Sequence, residues 1–157
     1  MTRASVSCIA MVAMLAALIV PAGASDDLVS RDAPDLTAVR AKIKAKDWPA
    51  ALAELRMISN TVQHADVYSL LGFVNRNMGE HKTALVCYRK ALSFDPNHKG
   101  AHEYLGELFV KIGDMAQAHV HEVFLQRLCP AGCEELEDLQ KAIAAGPPAG
   151  ATGAITN

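Results

Sequence analysis

Apolar residues recur at helical spacing in seven successive segments of this chain, and nearly every segment is bounded by a helix start or stop signal. Leu36, Val39 and Ile43 repeat on one face of a segment that Asp35 can cap and that runs to about Lys46. Asp47-Trp48-Pro49 restarts the chain, with Asp47 as an N-cap and Pro49 in a first turn, where its missing N–H costs little. Ala51, Leu52, Leu55 and Ile58 then face inward to about Ser59-Asn60. A third helix is expected from Ala65 to Met78, stopped at Gly79, a residue suited to the left-handed position after a helix. Ala84, Leu85, Tyr88 and Ala91 share one face of a fourth, from His81 to Leu92, which the chain leaves through Asp95-Pro96-Asn97. The plan repeats from Ala101 to Ile112, through Gly113-Asp114, and from Met115 to Leu128. A last helix, Glu134 to Ala145, is acidic at its start and basic near Lys141, in keeping with the helix dipole, and carries Leu136, Leu139 and Ile143 as its apolar stripe.

The segments pair into units. Leu71-Gly72, Gly79, Ala84 and Pro96 return 34 residues later as Leu105-Gly106, Gly113, Ala118 and Pro130, while Glu122 and Leu125 replace Tyr88 and Ala91. Small residues at Gly72, Gly106, Ala84, Ala91 and Ala118 let paired helices approach closely. The units run at about 32–64, 65–98 and 99–132, and 133–145 reads as the polar-faced cap that a stacked array needs. The fold class is all-α, an α-solenoid of about three helix pairs plus a capping helix.

The ends and the charge narrow the function. Arg3, the apolar run Cys8–Val20 and the small residues Pro21-Ala22-Gly23-Ala24 form an export signal over 1–24, with Ala22 and Ala24 at the positions a signal peptidase reads. The run falls short of the roughly 20 residues that span a bilayer, so no membrane insertion is expected after cleavage. This places the chain in a periplasm or outside the cell. Residues 25–34 read as a flexible leader, and 146–157 as a disordered tail too poor in large apolar groups to bury a core. With 15 basic against 17 acidic residues and no basic stripe with interleaved aromatics, nucleic acid is not an expected partner.

The repeating residues resemble the tetratricopeptide repeat family, over about Asp32 to Pro130. The second unit fits nearly throughout, with Tyr68 where the family favours Trp. The third departs with His102 at that position and Glu122 at the large aromatic position, which Phe124 is expected partly to fill. The first keeps mainly Asp47, Trp48, Ala51, Leu52 and Leu55. The resemblance implies a right-handed superhelix whose first helices line a concave groove for a protein or peptide partner. Groove positions carried over are Arg40, Ile43 and Lys44, then Asp66, Ser69, Phe73, Arg76 and Asn77, then Glu103, Tyr104, Glu107 and Lys111. Of these, Arg40, Phe73, Arg76, Asn77, Glu103, Tyr104 and Glu107 are the candidate partner-binding set, with Phe73 and Tyr104 as apolar anchors and Arg40, Arg76 and Glu107 setting orientation. Ser69 and Phe73 stand where the clamp that some members use for a terminal carboxylate would need Lys and Asn, so that clamp is not expected. Any of these residues is equally at home on an ordinary solvated helix face.

Chemistry has few places to reside. Cys87 lies mid-helix and packs as a small hydrophobe. Cys129 and Cys133, separated by Pro-Ala-Gly, suit a turn-closing disulfide in an oxidising compartment. Their alternative use is as a redox pair or copper or zinc carrier, with Cys133 ahead of a helix start but Glu134, Glu135 and Glu137 opposing a lowered thiol pKa. His119 and His121 point to different sides of one helix, and His98 is expected to precede the helix that holds His102. No catalytic triad, phosphate loop or carboxylate pair with a cleft is legible, so neither enzymatic activity nor a cofactor is expected. The functional reading is an exported interaction scaffold, with the thiol or metal carrier as alternative and a convex-face assembly subunit as a third possibility.

Overall fold

A computed structural model describes residues 33–153. The expected signal peptide, most of the leader and the last four residues lie outside that range. The described residues hold seven helices: α1 (Thr37–Lys44), α2 (Trp48–Ser59), α3 (Ala65–Asn77), α4 (His81–Phe94), α5 (Lys99–Ile112), α6 (Met115–Leu128) and α7 (Glu134–Ala145). None of them is long and apolar enough to cross a membrane.

Local chemistry accounts for the boundaries. The Asp47 and Asp114 carboxylates accept from the Ala50 and Gln117 amides at 3.2 Å, each capping the second helix of its unit. Asp35 accepts from Thr37 N at 2.9 Å, but the N-cap position itself falls on buried Leu36. Helix α5 starts at Lys99 rather than Ala101, because the imidazole of His98 does the capping: its Nδ1 accepts from Ala101 N at 2.9 Å. His64 caps α3 in the same way, accepting from Asp66 N at 3.1 Å. Two histidines at corresponding places in successive units thus act as N-caps.

The first helix of each unit ends in one hydrogen-bond pattern, made by Lys46 and Asp47, Gly79 and Glu80, and Gly113 and Asp114. Gly79 and Gly113 take the left-handed conformation there at φ 87° and 90°. In the first unit Lys46 takes it at φ 58°, which ends α1 at Lys44 instead of near Lys46.

Packing is pairwise and sequential. Helices α1 and α2, α3 and α4, and α5 and α6 form antiparallel pairs, and α3 also packs on α2 and α5. Helix α7 packs on both α5 and α6, the place that the first helix of a fourth unit would take. Buried groups follow this order in three clusters, around Val39, Leu55 and Val74, then Tyr88, Leu105 and Leu108, then Leu125 and Leu139. A Cβ on Gly72 would collide with the Tyr88 ring, so the close helix approach there requires glycine.

Phe124 does not fill the space left by Glu122. It is 42% exposed and stacks on His102 with centroids 4.9 Å apart, while Leu139 from α7 enters the gap beside Gly106. The chain beyond Ala145, expected as a disordered tail, returns to the body where it is described: Gly153 N donates to Ile112 O at 2.7 Å beside Gly113.

Candidate functional site

The first helices of the units and α7 together enclose a polar cavity of about 340 Å³. Arg40 of α1 stands on one side, Asp66, Ser69 and Leu70 of α3 and His98, Gly100, Glu103 and Tyr104 around α5 form the floor, and Glu134, Glu135 and Asp138 of α7 close the other side. Four carboxylates therefore gather at the α5–α7 end, and Arg40 lies across from them.

Asp66 is tied into the scaffold. His98 Nδ1 is occupied as the acceptor in its capping bond, so its Nε2 carries the hydrogen and donates to Asp66 Oδ1 at 2.8 Å. That hydrogen bond holds the Asp66 carboxyl below the usual range, against the opposing effect of burial.

Glu103 is in the opposite condition. It is 9% exposed and makes no hydrogen bond or ion pair among the described residues. Burial first, then the charges of Glu107, Asp138 and Glu135, push its carboxyl up to about 8, while Arg76 pulls the other way. Ser69, at the corresponding place one unit earlier, is 2% exposed, and its Oγ has no hydrogen-bond partner.

The sequence-derived groove residues separate into two groups. Arg40, Glu103 and Tyr104 line the cavity. Phe73, Arg76 and Glu107 form a packed flank next to it. Phe73 packs between Trp48 and Tyr104, with centroids 6.2 and 4.9 Å away. Arg76 lies over both the Phe73 and Tyr104 rings at 5.3 and 5.6 Å and is ion-paired with Glu107, donating also to Tyr104 O at 3.4 Å. Asn77 is exposed and its amide donates to Phe73 O at 2.8 Å, within its own helix. Helix α7 supplies Glu134, Glu135 and Asp138, which a mapping restricted to the three units leaves out; the acidic start of that helix was the available signal. His98 could have been found from its spacing to His64.

Cys129 and Cys133 are joined in a disulfide with Cα atoms 5.8 Å apart, closing the turn between α6 and α7. Cys87 remains a free thiol, half-buried, its pKa raised by that burial. No group of three or more His, Cys, Asp and Glu side chains among the described residues is arranged to hold a metal ion. His102 and His121 serve the framework. His102 Nε2–H donates to Pro96 O at 3.0 Å, which leaves its Nδ1 to accept from His121 Nδ1–H at 2.9 Å. On the outer face, α6 exposes Val120, Val123 and Phe124.

No curated protein matches this chain. Residues 65–98 match the family model described as the tetratricopeptide repeat, and they coincide with α3, α4 and the turn that leads to His98. Residues 65–98 are thus a tetratricopeptide-repeat unit, with further helix pairs stacked in sequence on either side of it.

Proposed function

We propose that this protein is an exported, non-enzymatic interaction module that holds a segment of a partner protein along its concave face. Tetratricopeptide repeats generally mediate protein–protein interaction, and the observation that carries the reading here is the cavity framed by α1, α3, α5 and α7. The flank beside it is preformed: Arg76 lies over two aromatic rings and is paired with Glu107, so a bound segment meets contacts already in place. Location in a periplasm or outside the cell is supported by Arg3, the apolar run that follows it and Ala22-Gly23-Ala24, and the Cys129–Cys133 disulfide suits an oxidising compartment.

Site-specific photo-crosslinking in the native cell tests this reading. A photoreactive residue replacing Tyr104 is expected to trap a protein adduct in the exported fraction, whereas one replacing Val123 on the outer face is not. Adducts at Val123 with none at Tyr104 would move the interaction to the convex surface. Recovery of the chain in the cytoplasm with its first 24 residues intact would remove the export assignment.

A further inference from the structure

We propose that the concave cavity is a receptor for one basic side chain, a lysine or arginine presented by an extended partner segment, with Glu103 and Ser69 as its inner contacts. The proposal rests on the groove reading and adds to it the chemistry of what enters.

Two buried polar groups face this cavity without partners. A helical serine that is 2% exposed ordinarily returns its hydroxyl to a carbonyl one turn back, yet Ser69 Oγ bonds to nothing. Glu103, 9% exposed, is also unpaired, and its carboxylate oxygens, unlike the sealed Ser69 hydroxyl, keep access to the cavity. A desolvated hydroxyl and carboxyl left this way cost stability, and the ligand that satisfies both is a hydrogen-bond donor bearing positive charge.

The surroundings select for the same ligand. Glu134, Glu135 and Asp138 at the rim repel an anion. The adjoining donors are already committed, Arg76 to Glu107, His98 to Asp66 and Lys141 to Asp138. The absence of a three-ligand cluster among the described residues argues against a metal ion as the intended cation. Tyr104 lines the same cavity and offers an apolar surface for the methylene stem of a long basic side chain, which a small free amine would not use. Arg40, across the cavity, disfavours a second positive charge and favours an acidic neighbour in the same segment.

The raised proton affinity of Glu103 supplies a signature. Empty, its carboxyl is mostly protonated near neutral pH; an entering cation favours the carboxylate, so binding expels a proton.

The test titrates the purified full-length chain with fluorescent peptides of alternating glycine and lysine, glycine and arginine, or glycine and glutamate, at about 0.15 M salt. A basic peptide is expected to bind at least about tenfold more tightly than the acidic one. Glu103→Gln should remove that preference, and Ser69→Ala should weaken it several-fold. Glu137→Gln makes the same substitution on the exposed face of α7, outside the cavity, and should leave binding nearly unchanged. Calorimetry in buffers of different ionisation enthalpy is expected to report release of most of one proton at pH 7, abolished by Glu103→Gln.

Equal binding of acidic and basic peptides, no binding of either basic peptide, or equal losses for Glu103→Gln and Glu137→Gln would overturn the proposal. If the basic peptides fail while the crosslinker at Tyr104 still captures a partner, the groove reading stands and only the basic-side-chain assignment falls.

Discussion

Leu139 of α7 sits against Gly106 of α5 so closely that a Cβ on the glycine would lie 2.6 Å from Leu139 Cδ2. In the preceding unit the corresponding partner of Gly72 is Tyr88, from the second helix of the same unit. The third unit carries Glu122 where that aromatic would stand, and the capping helix supplies the missing bulk. Helix α7 is therefore a structural part of the third unit.

This relationship predicts a reversal of sign. Gly106→Ala should destabilise the protein by about 1–3 kcal/mol through overpacking. Leu139→Ala should cost about 2–5 kcal/mol through the cavity it leaves. In the Leu139→Ala background, Gly106→Ala should instead be neutral or stabilise by up to about 1 kcal/mol, since alanine is the better helix former and only His121 Cβ, at 3.3 Å, still presses on its methyl. A double-mutant cycle by urea unfolding measures the coupling. Additive losses would mean that the two residues do not meet.

Lys46 holds at φ 58° the turn that Gly79 and Gly113 hold in the later units. Lys46→Gly relieves the left-handed strain of a side chain but adds backbone freedom to the unfolded chain, for a net gain of about 0.5–1 kcal/mol. Lys46→Ala, which keeps a Cβ, should bring no comparable gain. Thermal unfolding of the two variants decides the point.

The buried His102–His121 pair makes the fold sensitive to acid. Burial, reinforced by His102, lowers the His121 pKa to about 4, and burial also lowers that of His102. The unfolded chain takes up these protons below its ordinary value of about 6.5 while the folded chain resists them, so the contribution of the pair to stability is lost as pH falls from about 6.5 toward 4. His121→Phe keeps a ring against Phe109 and Phe124 and should flatten this acid limb. A denaturation series against pH reads the slope directly, and an unchanged slope in the variant would place the sensitivity elsewhere.

Glu103 acts with the opposite sign. Its folded pKa is raised to about 8, so it favours folding at low pH and that contribution is lost as pH rises from about 4.5 through 8. Glu103→Gln should therefore raise the melting temperature above pH 8 and change it little near pH 4. A residue whose removal stabilises the fold while abolishing capture of a basic peptide would be marked as one kept for binding. A fall in melting temperature at pH 9 would contradict this.

The sequence by itself determined the helices and their order, because the information is local. The helical period of Leu36, Val39 and Ile43 or of Ala84, Tyr88 and Ala91, the caps Asp47 and Asp114 and the turn glycines Gly79 and Gly113 lie within a few residues of what they control. The repeat followed from spacing, and the resemblance it carried pointed to Arg40, Glu103 and Tyr104, which line the cavity. Boundaries moved only where an unusual group did the local work, as with His98 starting α5 at Lys99 and Lys46 turning the chain after α1.

Tertiary structure decided what distant residues do for one another. That Leu139 and not Phe124 fills the third unit, that Arg76 is spent on Glu107 and two rings, and that α7 brings Glu134, Glu135 and Asp138 to the groove all depend on packing between helices far apart in sequence. The same holds for Ser69 and Glu103. A periodic pattern can place a serine and a glutamate on one face of successive helices, but whether they meet partners, water or an empty cavity is set by the three-dimensional stacking of α3, α5 and α7.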